Sequence, residues 1–303
     1  MFLSTLLLLC VASATILSRE YRERNKREIQ HHYLQSLLMS DIHNERYIEQ
    51  LALLSNHRTK VATAELLSEL SPIIYRFDPE PFERIAQSLH LSDFLLEAAH
   101  RSHGATRAYT LSLFAQIPFS GHHIDQISQF SHSKNRMTRL FALMATINAD
   151  RKGILKHIAS YPDEMTPFEI AQLVAALSQG SYSVAYQPML ASDNLNTLLL
   201  GVAIVHNFGI ESAESELREL FASKRSFTLR REIIYTLASM QLPIATPAIA
   251  QFLKAIPQIE RRRFLRHITT EGYSQSTIEY FTNNYDTPYF QALINSYKIK
   301  IGC

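Results

Sequence analysis

Two arginine-rich stretches, "SKRSFTLRRE" and "ERRRFLRH", hold the side chains best suited to chemistry in this chain. The first supplies Lys224, Arg225, Arg230 and Arg231; the second supplies Arg261, Arg262, Arg263 and Arg266. A guanidinium is a planar fork of donors that matches carboxylate or phosphate, so such clusters bind rather than make bonds. Three uses stay open: a solvated turn paired with Glu232 and Glu260, a protein-partner surface, or contact with the phosphates of nucleic acid or lipid. The arginines outnumber the nearby acids, which favours binding. Arg230, Arg231, Arg262 and Arg263, with Lys224 and Arg225, are the candidate partner-binding residues.

Other chemistry fares worse. Of thirteen histidines, His100 and His103 are spaced i,i+3, and His122, His123 and His132 follow. A zinc site wants three or four convergent ligands, and no His-Glu-x-x-His occurs. The two cysteines, Cys10 and Cys303, sit at opposite ends, which excludes a disulfide framework and a thiol near any base. No Gly-x-Ser-x-Gly elbow is present, and eight glycines leave no phosphate-cradling loop. The chain therefore reads as a binding protein, not an enzyme, with no cofactor and no metal. Tryptophan is absent and the basic clusters carry little aromatic interleaving, which disfavours single-stranded nucleic acid.

These side chains must be held by helices. After about residue 30, apolar residues recur at spacings of three and four, as in "IAQSLHLSDFLLEAAH", "PFEIAQLVAALSQ" and "EIIYTLASM". Pro79 to Pro81, Thr166-Pro167 and Thr246-Pro247 each precede such a run; Thr caps free N–H groups and Pro takes the first helical position. Alternating strands are absent. The expected fold class is all-α.

The helices repeat. "TRAYTLSLFAQIP", "TRLFALMATINAD", "LRREIIYTLASMQ" and "RRRFLRHITTEGY" each carry Arg second, at 107, 139, 230 and 262, and two of those steps are 32 residues. Each is followed by a polar turn and a second helix: "HHIDQISQF", "KGILKHIAS", "PAIAQFLKA" and "STIEYFTNN". Two weaker copies, "FEIAQLVAALSQG" and "NTLLLGVAIVHNFG", fall between them without the Arg. A two-helix unit of this period, with its best copy from Arg139 to Asp150, resembles the HEAT-repeat family. The resemblance covers roughly residues 60–290 and implies a right-handed α-solenoid of about six to seven two-helix repeats, with a concave binding surface. It also implies that Arg107 and Arg139 are structural repeat arginines pairing with turn acids such as Asp125 and Asp150. Small residues such as Ala145 and Ala175 are expected where paired helices approach.

The compartment is set by the opening segment. From Phe2 to Ser18 no residue is charged, while Arg19, Arg22, Arg24, Lys26 and Arg27 follow at once. An apolar run of this length is at the short end for a span. It has no basic residue before it, so it lacks the n-region of a cleaved signal, although Ala12-Ser13-Ala14 resembles a cleavage site. Basic residues stay cytoplasmic, so those five set the topology: N-terminus outside, body inside. The expected organisation is an anchor at 1–18, a charged juxtamembrane helix and cap at 19–58, repeats at 59–290 and a basic tail at 291–303. The expected function is a membrane-anchored cytoplasmic scaffold or adaptor that binds a protein partner, itself membrane-associated. The alternative is a HEAT-like enzyme or nucleic-acid-binding protein using the Arg-rich patch.

Overall fold

The computed structural model describes residues 56–74, 80–117, 123–150, 152–179, 185–223 and 226–282, plus helical residues 23, 24, 26–28, 30, 31, 292 and 295. The apolar run at 2–18, Arg19, Arg22, His122, Lys224, Arg225 and most of the 291–303 tail lie outside these residues. Among the described residues every regular element is a helix, as expected. None of those helices is long and apolar enough to cross a membrane.

The chain divides into two compact units, residues 1–162 with 178–182, and residues 163–177 with 183–303. The first holds α1 (His57–Ile74), α2 (Glu80–Ser88), α3 (Leu91–Arg101), α4 (Gly104–Phe114), α5 (Ile124–Ser128), α6 (Arg136–Ala149) and α7 (Ile154–Ala159). Here α1 and α3 both pack on α4, α4 packs on α6, and the short α5 and α7 lie against α6. Alternate helices are thus neighbours, and between them sit Leu111, Phe114, Ile127, Ala142 and Ala145, all nearly free of solvent.

The second unit holds most of α8 (Pro167–Gln179), then α9 (Gln187–Leu190), α10 (Leu195–Phe208), α11 (Glu214–Ser223), α12 (Phe227–Ser239), α13 (Pro247–Ala255), α14 (Gln258–Thr270) and α15 (Gln275–Thr282). Again alternate helices pack, α10 on α12 and α12 on α14, with α9, α11 and α15 against them. Helix α10, "LNTLLLGVAIVHNF", is buried over most of its length, as an almost wholly apolar helix must be. Gly201 lets α9 approach it: a Cβ there would lie 2.9 Å from Met189 Cβ.

Helix starts are fixed by side-chain caps. Asn135, Asn194, Ser226 and Thr246 each accept a hydrogen bond from a backbone N–H three residues on. Thr166 and Glu169 form a reciprocal capping box: Glu169 N–H donates to Thr166 Oγ1 at 3.3 Å, and Thr166 N–H to Glu169 Oε2 at 2.8 Å. The starts of α4, α6, α8, α10, α12 and α14 follow His103, Asn135, Thr166, Asn194, Ser226 and Pro257. Successive intervals are 32, 31, 28, 32 and 31 residues, so the sequence period is also a helix period. One expected packing position is corrected. Ala145 is fully buried, but Ala175 is exposed, because Leu173, Val174 and Leu177 carry the buried stripe of α8 and leave Ala175 on its far side.

Candidate protein-binding surface

The arginines that open the repeats reach backbone and rings. Arg107 Nε donates to the Ala99 carbonyl at 3.0 Å, its guanidinium meets His103 Nδ1 at 3.1 Å, and it lies 5.4 Å from the Phe130 ring centre. Arg139 donates to the carbonyls of Ser133 at 2.6 Å and Lys134 at 3.3 Å. Both acceptors for Arg139 follow the helical turn Gln129–His132, and Ala99 lies in the last turn of α3. A helix end leaves carbonyls without intrahelical partners, and a cation there also opposes the helix dipole. Asp150, one of the expected ladder acids, accepts instead from His157 Nε2 at 2.9 Å and from Gly153 N–H at 3.1 Å. The His157 contact, followed by that of Gly153, holds its carboxyl below the usual carboxylate range.

Arg230 is the equivalent residue in α12, and it turns inward. Its guanidinium sits 4.4 Å from the Phe221 ring centre and 4.7 Å from that of Phe252. Burial lowers its pKa, and Nε is buried without a hydrogen-bond partner. The ring faces replace water here. Arg230 therefore cements α11, α12 and α13.

Arg231 on α12 is half-buried, with 26% of its side chain exposed, whereas Arg263 on α14 faces outward. Arg231 binds Glu232 Oε1 through Nε at 3.1 Å and Nη2 at 2.8 Å, and it lies 5.9 Å from the Phe227 ring. Arg263 Nη1 meets Glu260 Oε1 at 2.8 Å; its side chain is 65% exposed, that of Glu260 only 17%. Tyr235 follows Arg231 by four residues on α12. Burial, reinforced by Glu260, raises its pKa, while Arg231 and Arg263 oppose that shift. Arg231, Glu232, Glu260 and Arg263 thus all act on one phenol. Arg262 is half-buried beside them.

The patch repeats with the chain. Phe227, Arg231 and Tyr235 run up one face of α12 at steps of four; Ile259, Arg263 and His267 do the same on α14, each 32 residues later. The rings of Tyr235 and His267 meet at 4.9 Å, tilted by 39°, which closes the two columns at their upper end. At the lower end, Phe227 is 41% exposed and Ile259 56%. These two exposed residues were not singled out by the sequence reading; their coincidence with the arginine period is the signal that would have found them.

Other titratable groups make local contacts. Ser239 Oγ and His267 Nε2 are 3.1 Å apart and His267 Nδ1 is 3.6 Å from Glu271, an order of groups that suits acyl transfer. Ser239, however, is the last residue of α12, where carbonyls converge, and an oxyanion needs N–H donors. His100 stacks on Phe130 and His123 Nε2 meets Asp93 at 2.8 Å. Among the described residues no three ligands gather around a metal position.

Of the basic residues after the opening run, Arg24 makes an exposed i,i+4 pair with Glu28 at 3.8 Å and Arg27 is exposed. Lys26 instead reaches into the body, 2.6 Å from Glu65, a carboxylate that also accepts from Tyr109. The charged segment is thus tied to α1 and α4. No family model matches the chain, and no curated protein is detectably similar to it in sequence.

Proposed function

We propose that the chain is a membrane-anchored scaffold or adaptor whose cytoplasmic body, a HEAT-like α-solenoid, holds a protein partner at the bilayer. The observation that carries this reading is the repeated column on α12 and α14: an exposed apolar residue, an arginine one turn on, then a ring. Arginine and aromatic residues are enriched at interface centres, and helix-pair repeats present equivalent residues side by side. The recurring helix starts support the repeat architecture. The charge-free run at 2–18 and its basic flank support the anchor and its orientation.

A photoreactive amino acid at Ile259 or Phe227 in intact cells tests the reading. The same membrane-associated protein should be captured from both positions and not from Phe208, an equally exposed ring on α10. Equal capture from all three positions, or none from any, would remove the support for this surface.

A further inference from the structure

We infer that the segment carrying Lys26 is a strap latched to the first unit by one ion pair. Lys26 on Glu65 holds it against α1 and α4, and breaking that pair frees the segment while the body stays folded. In a chain anchored as proposed above, the latch also sets how the first unit sits at the bilayer; that consequence rests on the anchored reading, and the latch itself does not.

The seat is built from both sides. Lys26 and Gln30, one helical turn apart, are half-buried, whereas Glu23, Arg24, Arg27, Glu28 and His31 are exposed. One stripe of the segment therefore faces the body. Lys26 Nζ lies 2.6 Å from Glu65 Oε2, and Gln30 Nε2 donates to the Ala62 carbonyl at 3.4 Å. Glu65 is buried, and its second oxygen accepts from the hydroxyl of Tyr109 on α4. The body thus holds the carboxylate, and the segment supplies the ammonium. The Glu65 contact raises the Lys26 pKa against the opposing effect of burial, and Glu23 and Glu69 add to it. Arg24 is paired with Glu28 inside the segment at 3.8 Å, and Arg27 is exposed, so the latch falls to Lys26.

The same seat is releasable. Among its described residues the segment brings no apolar side chain to the body, so no burial of apolar area holds it there. An ammonium on a long, half-exposed stem turns to water when its partner is lost. The body does not depend on the pair in the same way. Ala64, Leu66 and Leu67 of α1 are buried in one cluster with Leu111 and Phe114 of α4, whatever the segment does. Lys26 also stands only eight residues beyond Ser18, where the charge-free run ends, a length that spans at most about 28 Å. A latched segment therefore keeps the Glu65 face of the first unit near that run, and a released one lets it turn away.

Hydrogen exchange of the full chain in detergent micelles, read peptide by peptide, tests this. Lys26→Met and Glu65→Gln should each speed exchange in the peptide containing Lys26 at least about fivefold, as the loss of one partly exposed ion pair implies. Lys26→Arg, which keeps the charge, should stay slow, and α6 should keep its protection throughout. Unchanged exchange in Lys26→Met and Glu65→Gln would overturn the inference, as would fast exchange in Lys26→Arg. Loss of protection in α6 together with the segment would also overturn it, since the pair would then belong to the core. Carbonate extraction of the same chains separates the two readings. A chain that leaves the membrane while the variants behave as expected ends the anchored reading and leaves the latch standing. A chain that stays while Lys26→Met exchanges slowly ends the latch alone.

Discussion

At the residue scale, Arg230 and its neighbour Arg231 divide one basic stretch between ring packing and an ion pair. Arg230 is adjacent to Arg231 in sequence, yet a helical step of 100° sends one guanidinium between Phe221 and Phe252 and the other to the carboxylate of Glu232. Arg230→Ala should lower unfolding free energy by about 1–2 kcal/mol through lost cation–π contact, and Arg230→Lys should recover only part, because an ammonium cannot stack as a plane. Urea unfolding measures both. Tyr273 gives a pH-dependent counterpart. Its hydroxyl donates to the Leu242 carbonyl at 2.6 Å and to the Leu237 carbonyl at 3.3 Å. Burial first, then Glu271, pushes its pKa up to about 12 from an ordinary 10. A raised folded-state pKa stabilises the fold fully below pH 10 and loses that contribution as pH rises toward 12. Tyr273→Phe should cost about 1 kcal/mol at neutral pH and flatten the fall in stability over that alkaline range. The period of the repeat arginines was legible in the sequence. The acceptors of Arg107 and Arg139 were not, because a carbonyl at a helix end belongs to every residue type and leaves no mark in composition.

At the element scale, several helices were legible because they carry their own start signal. Thr166-Pro167 and Thr246-Pro247 stand at the starts of α8 and α13 as their chemistry requires. Thr166→Ala breaks a capping box and should cost about 1 kcal/mol, read as a lowered urea midpoint. The rotational register of α8 was less legible. Its run "FEIAQLVAALSQ" offers several small and apolar positions, and spacing alone does not say which stripe faces inward. The contrast is testable: Ala145→Phe should destabilise by about 1–3 kcal/mol through overpacking, whereas Ala175→Phe should leave thermal stability nearly unchanged. The columns on α12 and α14 were half legible. Their arginines stood out, but the exposure of Phe227 and Ile259 depends on what neighbouring helices leave uncovered.

At the scale of the whole molecule, the proposed function requires two features to act together: an anchor that confines the body to a bilayer, and a surface that holds a partner there. For the anchor, intact protein should resist carbonate extraction and retain Met1 or Phe2 at its N-terminus; a mature N-terminus near Ala14 or Thr15 would identify a cleaved signal instead. For the surface, charge reversal is the direct measurement. Arg231→Glu combined with Arg263→Glu places like charges beside Glu232 and Glu260. Co-purification of the membrane partner and the melting temperature are then read on the same preparation. The account predicts that the partner is lost while the melting temperature stays within the small range expected of surface ion pairs. Retention of the partner together with a clearly lowered melting temperature would contradict it, and would assign these arginines to holding α12 and α14 together.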